Sequence, residues 1–360
     1  MQETEKSKLV SVLADLDLNS MSNAELFRYL ESCGFGDTEA LKSRYKRNSF
    51  EFRSIIENIR NGNDDTEITE LINREPDYTY ILSDRERAYS KKEEEYKYET
   101  KRYHFNVPHD WAMFMVGSDY HLDDEGANVL LLVRTIELFA KFAEVRFISL
   151  GDWANFWVDN WSSKLALTSK YTPSDAIDLT KLVANKMGDK HILAQVGNHD
   201  KWITKIGFDG LKLVLEQFSA NLVYKQFPTV FKLSCNSYMT DWIKTAHYYK
   251  AGSSMWNPHQ SNIKHLLSHE VDVNFTITGH YHWPKTAYGE FPFDNRVIRS
   301  LLLGSIKSFD DYALELGLKS KENSNPFAFI FLYDGREKLV TDIDEAFELC
   351  RKLNSDYTDK

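Results

Sequence analysis

The sequence predicts an α/β catalytic domain preceded by a small all-α domain, and three observations carry that prediction. Four apolar runs each end in glycine followed by acidic, amide or imidazole side chains. They are Met113–Val116 before Gly117-Ser118-Asp119-Tyr120-His121, Arg146–Leu150 before Gly151-Asp152, His191–Val196 before Gly197-Asn198-His199-Asp200, and Phe275–Thr278 before Gly279-His280-Tyr281-His282. An apolar run stopped by glycine reads as a strand ending in a tight turn, and α/β proteins gather their ligand groups at such strand ends. A long apolar-periodic segment, Ala127–Phe142, separates the first two runs, as in a βαβ unit. Near the amino terminus, two helical patterns flank Gly34 and Gly36, which reads as helix, turn, helix.

Length and composition narrow the options. A chain of 360 residues exceeds one ordinary core, so a large domain and a smaller one are expected. The expected division is a helical domain over 1–62, a charged linker or arm over 63–105, a catalytic domain over 106–350 and a tail over 351–360. A net charge of −10 argues against coating nucleic acid or anionic membrane over the whole surface, while leaving room for a local basic patch. Cys33, Cys235 and Cys350 are odd in number and far apart, so they form neither a disulfide framework nor a zinc knuckle and suit a reducing cytoplasm. No signal pattern opens the chain and no apolar run approaches a bilayer's thickness. A soluble, cytoplasmic protein without a membrane partner is expected.

Taken in order, residues 5–15 read as an amphipathic helix. Ser22 and Glu25 match a capping box that opens a second helix running to about Cys33. A third restarts at Asp37-Thr38 and passes through Leu41 and Tyr45. It and its continuation are basic, with Lys42, Arg44, Lys46, Arg47 and Arg53 as candidate contacts to DNA phosphates and base edges. A helical bundle used for oligomerisation is the plainer alternative. Residues 61–70 are a polar break, and Asp84–Arg102 is an exposed helix or extended arm of mixed charge. The catalytic domain begins near Phe105 with its first strand at Trp111–Val116. Strands follow at 145–150 and 191–196, and helices at 174–187 and 208–220. A second sheet is expected from 227–234 and 238–245, completed by 297–302, 327–333 and 339–342. The aromatic stretch Trp153, Phe156, Trp157, Trp161 reads as core packing or a subunit contact in preference to a base-stacking surface. A helix over 259–269 carries His265 and His269 one turn apart, read as a polar helix rather than a zinc site.

His247, after Trp242–Ala246, is a fifth candidate ligand, with His259 nearby as a competitor. The order D-x-H, G-D, G-N-H-D, lone H, G-H-x-H, all between positions 119 and 282, resembles the calcineurin-like metallophosphoesterase superfamily. Over about residues 106–345 that resemblance implies two β-sheets packed face to face with helices outside. It implies that Asp119, His121 and His282 bind a first metal, that Asp152 bridges, and that Asn198, His247 and His280 bind a second. The chemistry suits the donors: two divalent cations roughly 3.5–4 Å apart activate a nucleophile and cancel charge on a phosphoryl group. D-x-H and H-x-H put two ligands on one side of an extended segment. Mixed imidazole and carboxylate donors favour Mn²⁺, with Fe, Zn or Mg as alternatives. The resemblance makes His199 the general acid or transition-state stabiliser, with Asp200 as a catalytic partner that orients its ring. Asn155 stands where a common variant of the family has a second Asp, which leaves Asp159 and Asp123 as further partners for His199.

A helix-turn-helix fused to this domain is similar to candidate nucleases of bacteriophages and their hosts, relatives of the double-strand-break repair nuclease. The further arginine motifs of the protein Ser/Thr phosphatases are missing. The expected function is therefore two-metal hydrolysis of phosphate esters, foremost as a nuclease with DNA as partner. The enzymatic alternative is a phosphatase or phosphodiesterase on nucleotides, with the amino-terminal module holding a homo-oligomer together. A DNA-binding regulator on a degenerate scaffold is the alternative of another class.

Overall fold

The structure is a computed structural model that describes residues 8–9, 11–13, 16, 21–35, 37, 41, 56, 79–156, 170–204, 209–249, 257–269, 272–283, 285–309 and 325–358. It divides into two units, Met1–Ser90 and Lys91–Lys360. In the first, α1 (Asn23–Ser32) opens on the expected capping box: Ser22 Oγ accepts from Glu25 N–H while the Glu25 carboxylate accepts from Ser22 N–H. It stops before Gly34, whose φ of +81° is a conformation that glycine adopts at no steric cost. Leu9, Leu13, Leu26, Phe27, Leu30, Phe35, Leu41 and Ile56 bury together as this unit's own core. The basic residues Lys42, Arg44, Lys46, Arg47 and Arg53 lie outside the described residues. The charged segment that follows is helical, α2 (Thr79–Glu99), with exposed side chains over most of its length. Among the described residues no helix is long and apolar enough to cross a membrane.

The second unit contains β1 (Tyr103–Asn106), β2 (Trp111–Gly117), α3 (Val129–Phe139), β3 (Val145–Leu150), α4 (Pro173–Met187), β4 (His191–Gln195), α5 (Asp200–Thr204), α6 (Gly210–Glu216), β5 (Val223–Lys225), β6 (Thr229–Ser234), β7 (Trp242–Ala246), α7 (Gln260–His269), β8 (Val273–Trp283), β9 (Ala287–Phe293), β10 (Arg296–Gly304), β11 (Ala328–Tyr333), β12 (Arg336–Val340) and α8 (Ile343–Thr358). They form two six-stranded sheets, β12-β11-β2-β3-β4-β5 and β1-β6-β7-β8-β10-β9. The side chains of β2 show why two layers are needed. Trp111, Met113 and Met115 enter the core shared with α3, α4 and α8, whereas Ala112, Phe114 and Val116 enter a second core with Phe231, Ile243, Phe275 and Ile277 of the other sheet. A strand apolar on both faces must be covered on both, by helices on one side and a sheet on the other. The α/β sandwich with outer helices is thus the fold the sequence predicts.

Several expectations change. The segments at 327–333 and 339–342 join the first sheet and not the second: β11 runs antiparallel to β2, and β12 antiparallel to β11. β11 is buried along its whole length, and a run that is apolar on both faces signals a central strand without saying of which sheet. Near Phe105, β1 (Tyr103–Asn106) pairs in parallel with β6. β9, a strand of part-exposed residues, extends the second sheet beyond β10. The segment 351–358 continues α8, whose Ala346, Cys350 and Leu353 pack into the first core, so it is no loose tail.

Candidate metal centre

Every expected ligand lies near the carboxyl end of a strand: Asp119 and His121 after β2, Asp152 after β3, Asn198 after β4, His247 after β7, and His280 and His282 late within β8. This is where doubly wound sheets leave a crevice. The structure brings them together as two adjacent groups, Asp119–His121–His282 and Asp152–His247–His280, with the ligand atoms of each within 4.8 Å of one another. Asn198 joins the second group, its Oδ1 lying 3.0 Å from His247 Nε2. Asp152 reaches toward both, Oδ2 lying 3.1 Å from His247 Nε2 and 3.9 Å from His121 Nε2.

The local backbone differs from the extended segments expected of D-x-H and H-x-H. Asp119, His121, Asp152, His280 and His282 have φ of +54°, +43°, +53°, +74° and +44°. They are five of the eight non-glycine residues with positive φ among those described. Each such position costs about 1–3 kcal/mol and persists only when its surroundings impose it. In β8 the excursion is visible as a register break: Thr278 pairs with Leu302 and Trp283 with Gly304, so Gly279–His282 loop out of the ladder. Two glycines make the crowding possible. A Cβ on Gly197 would strike the Asp152 carboxylate, and one on Gly279 would strike Ser118 and Asp119.

Hydrogen bonds fix one end of Asp119, Asp152, His121 and His247 and turn the other end toward the cluster. Asp119 Oδ2 accepts from His280 N–H at 2.7 Å, and Asp152 Oδ1 accepts from His199 N–H at 2.9 Å. The remaining oxygens, Asp119 Oδ1 and Asp152 Oδ2, are buried and receive no hydrogen bond. Both face imidazole nitrogens, with Asp119 Oδ1 at 3.5 Å from His282 Nε2 and 4.0 Å from His247 Nε2. His121 Nδ1 lies 2.9 Å from Asn155 Oδ1 and His247 Nδ1 lies 2.8 Å from the Leu150 carbonyl. With those nitrogens as donors, each ring turns its Nε2 lone pair into the cluster. His121 Nε2 and His282 Nε2 converge to 2.9 Å. Orphaned carboxylate oxygens beside converging imidazole lone pairs fit divalent cations and little else.

Electrostatics mark the same spot. Burial alone would lower the His247 pKa, but the charges of Asp152 and Asp119 raise it to about 10. Burial would raise the Asp119 carboxyl, yet His247 and His282 hold it at about 2, and Asp152 is held lower still. Away from that focus, burial followed by His282 pushes His121 well down, and burial with His247 brings His280 to about 4. The two carboxylates therefore call for positive charge, which a protonated His247 supplies here and a bound cation would supply in its place, while His121 and His280 are held neutral, as metal ligands must be.

The remaining expected residues divide. His199 sits beside the first group, its ring centroid 5.0 Å from that of His121 and 4.3 Å from that of Trp202. Asp200 does a different job from the ring-orienting one expected. Its carboxylate accepts from the backbone N–H groups of Asp152, Trp153 and Gly197 at 2.8, 2.9 and 2.8 Å, tying the β3 and β4 turns together. Burial and the nearby Asp152 charge raise it to about 7. Asp123 likewise accepts from Asn155 and Phe156 N–H, and Asp159 lies outside the described residues. Trp153 and Phe156 are buried in the core, while Trp157 and Trp161 lie outside the described residues. His259 belongs elsewhere, on Ser300, and His265 stacks on Tyr249. Asn155, which the sequence reading weighs only as a missing carboxylate, turns out to orient a ligand.

No protein-family model matches the chain, and no curated protein matches it. Among solved structures it is similar to calcineurin-like phosphoesterase YfkN from Bacillus subtilis, at 10% identity and TM-score 0.33 over 70% of this chain and 100% of that one. It is similar to a metallophosphoesterase from Sphaerobacter thermophilus, at 13% identity and TM-score 0.28 over 67% of this chain and 94% of that one. It is also similar to Pseudomonas putida nuclease MPE, at 12% identity and TM-score 0.27 over 63% of this chain and 87% of that one. What the chain itself shows is two six-stranded sheets and two groups of ligand-type side chains gathered at their strand ends.

Proposed function

We propose that this protein hydrolyses phosphate esters with two divalent cations, and that its substrate is a phosphodiester bond of DNA. The observation that carries the hydrolytic reading is the pair of adjacent ligand groups with two buried carboxylate oxygens, Asp119 Oδ1 and Asp152 Oδ2, left without donors. Asp119, His121 and His282 would hold one cation, and Asn198, His247 and His280 the other, with Asp152 serving both. Mn²⁺ is the first choice for this donor set, with Fe, Zn or Mg as alternatives. When bound, the pair supplies a nucleophile at neutral pH and cancels charge on the phosphoryl oxygens. The protein's own groups do the rest. The Asp200 carboxylate fixes the two turns that present Asp152 and Asn198. His199 stands at the edge of the cluster to hydrogen-bond or protonate the leaving oxygen.

The DNA reading draws on the basic amino-terminal residues Lys42, Arg44, Lys46, Arg47 and Arg53. A phosphatase or phosphodiesterase of nucleotides, held as a homo-oligomer by that unit, is the second reading. It is favoured by a cavity of about 200 Å³ beside Asn198 and His247, too small for more than a fragment of a polymer. Purified protein with Mn²⁺ should cleave linear duplex DNA, a single strand or bis(p-nitrophenyl) phosphate, and lose that activity in chelator. A protein that binds two cations and hydrolyses none of these esters would sink the proposal. If Arg44 and Arg47 each contact one phosphate, replacing both with Ala should flatten the log–log salt dependence of DNA binding by about 2 units. Unchanged slopes would remove DNA and leave the nucleotide reading.

A further inference from the structure

The cavity beside the second ligand group has a wall unlike the metal centre itself. It is lined by Asn198 and His247 of that group together with Phe227, Pro228 and Tyr248. Phe227 is 56% exposed and Tyr248 39% exposed, so both rings are open to a ligand. Tyr248 is held flat by stacking on His280, centroids 4.5 Å apart at 26°. Gln195 also lines the cavity; it is buried, and its Nε2 is within 3.1 Å of the Phe227 carbonyl, 3.2 Å of Thr229 Oγ1 and 3.1 Å of the Thr245 carbonyl. Those bonds set the amide's orientation and anchor the Phe227 segment to the sheets. They also leave Gln195 Oε1 as a buried acceptor that no donor reaches. Among the described lining residues there is no carboxylate, and the one lysine is Lys201, 5.8 Å from the Phe227 ring centroid.

A space of about 200 Å³ with two aromatic faces, one amide acceptor and no negative charge does not suit a cation, an acyl chain or a peptide. It suits one planar, neutral ring that carries an N–H donor. We propose that the cavity is a subsite for a single nucleobase attached to the phosphate at the metal centre. The base stacks against Phe227 and Tyr248, and a ring or exocyclic N–H donates to Gln195 Oε1. The subsite rests on the phosphoester reading for its substrate, and it takes the base equally from a free nucleotide or from a strand.

Ligand-observed saturation-transfer NMR tests it, with thymidine 5′-monophosphate, ribose 5-phosphate and a short single-stranded oligothymidylate as probes. The base protons of at least one thymine probe should receive more saturation than its sugar protons. Ribose 5-phosphate should bind more weakly than the nucleotide. Phe227→Ala should weaken binding of the responding thymine probe about 5–150-fold, the range of one base–aromatic stack. The half-exposed ring makes this substitution safe for folding. A response from the mononucleotide points to free nucleotides, and one from the oligomer alone points to a strand. No preferential saturation of the base in either probe, or unaltered binding by the variant, overturns the subsite. Hydrolysis of bis(p-nitrophenyl) phosphate, which has no base, is followed in parallel. Base contact without any hydrolysis defeats the phosphoester reading alone, and hydrolysis without base contact defeats the subsite alone.

Discussion

His247 and His259 are both buried imidazoles in the second unit, and both compete in the sequence for the place of the lone ligand. The regions around them differ in every respect that matters. His259 Nδ1 pairs with Ser300 Oγ at 2.9 Å, Ser300 with Asn262 at 2.9 Å, and Asn262 with Thr278 at 3.1 Å, so α7, β8 and β10 are joined by a satisfied network. Burial lowers the His259 pKa with no opposing charge. His247 faces two carboxylates whose inner oxygens accept no hydrogen bond, and those charges overcome its burial. Residues around it hold the left-handed backbone that the α7 network avoids. Histidine content and burial therefore do not mark a site. Unspent acceptors on strained backbone do, because folding would not assemble them without a ligand to complete them.

The comparison breaks first at Asp152. Asp152→Asn removes the charge of the carboxylate assigned to serve both groups. Turnover and cation affinity should fall by more than the roughly 10–100-fold that losing an outer hydrogen-bond partner costs. Metal content by mass spectrometry and hydrolysis of bis(p-nitrophenyl) phosphate decide it, and a variant with two tight cations and near-normal turnover would refute the assignment. His199→Ala comes next. It should slow turnover by about 10²–10⁴-fold while metal content stays, and a leaving group of low pKa should suffer less. Metal loss in that variant would make His199 a ligand instead. Asn155→Ala should act more gently, weakening the cation held through His121 by about 10–100-fold as the ring loses its orienting partner. Equal titration curves for variant and wild type would show that the His121 ring is held by packing alone.

Much of this centre is legible in the sequence because strand ends and ligand types recur together. Asp119, His121, Asp152, Asn198, His247, His280 and His282 all meet. What the letters conceal is how they meet. D-x-H suggests period two, yet Asp119 and His121 turn inward through positive φ, a geometry that depends on Gly117, Gly151 and Gly279 and on neighbours distant in sequence. Asp200 is misread for the same reason. Its neighbours in sequence suggest a partner for His199, but folding sets its oxygens against the amides of a different strand's turn. Sheet membership of β11 and β12 is hidden too, since a two-faced apolar run does not name its neighbour. The fold class follows from periodicity, whereas the register of its parts follows from contacts that no local pattern encodes.

The smallest expected effect is at His259, and it sharpens the contrast most. His259→Ala deletes one member of the satisfied network and leaves Ser300 Oγ with Asn262 as a remaining partner. The cost should be that of a broken buried hydrogen bond, about 1–3 kcal/mol of folding stability. Because His259 touches neither ligand group, two properties should not move: cation content and turnover per folded molecule. A third readout separates the regions directly. A ligand that binds only the folded state raises Tm by mass action, so adding Mn²⁺ should raise the wild-type Tm and raise that of His259→Ala by a similar increment from its lower base. Asp152→Asn should show little increment. A His259→Ala protein that unfolds at the wild-type temperature but no longer responds to Mn²⁺ would reverse the comparison, making the α7 network part of the metal centre and His259 the lone ligand.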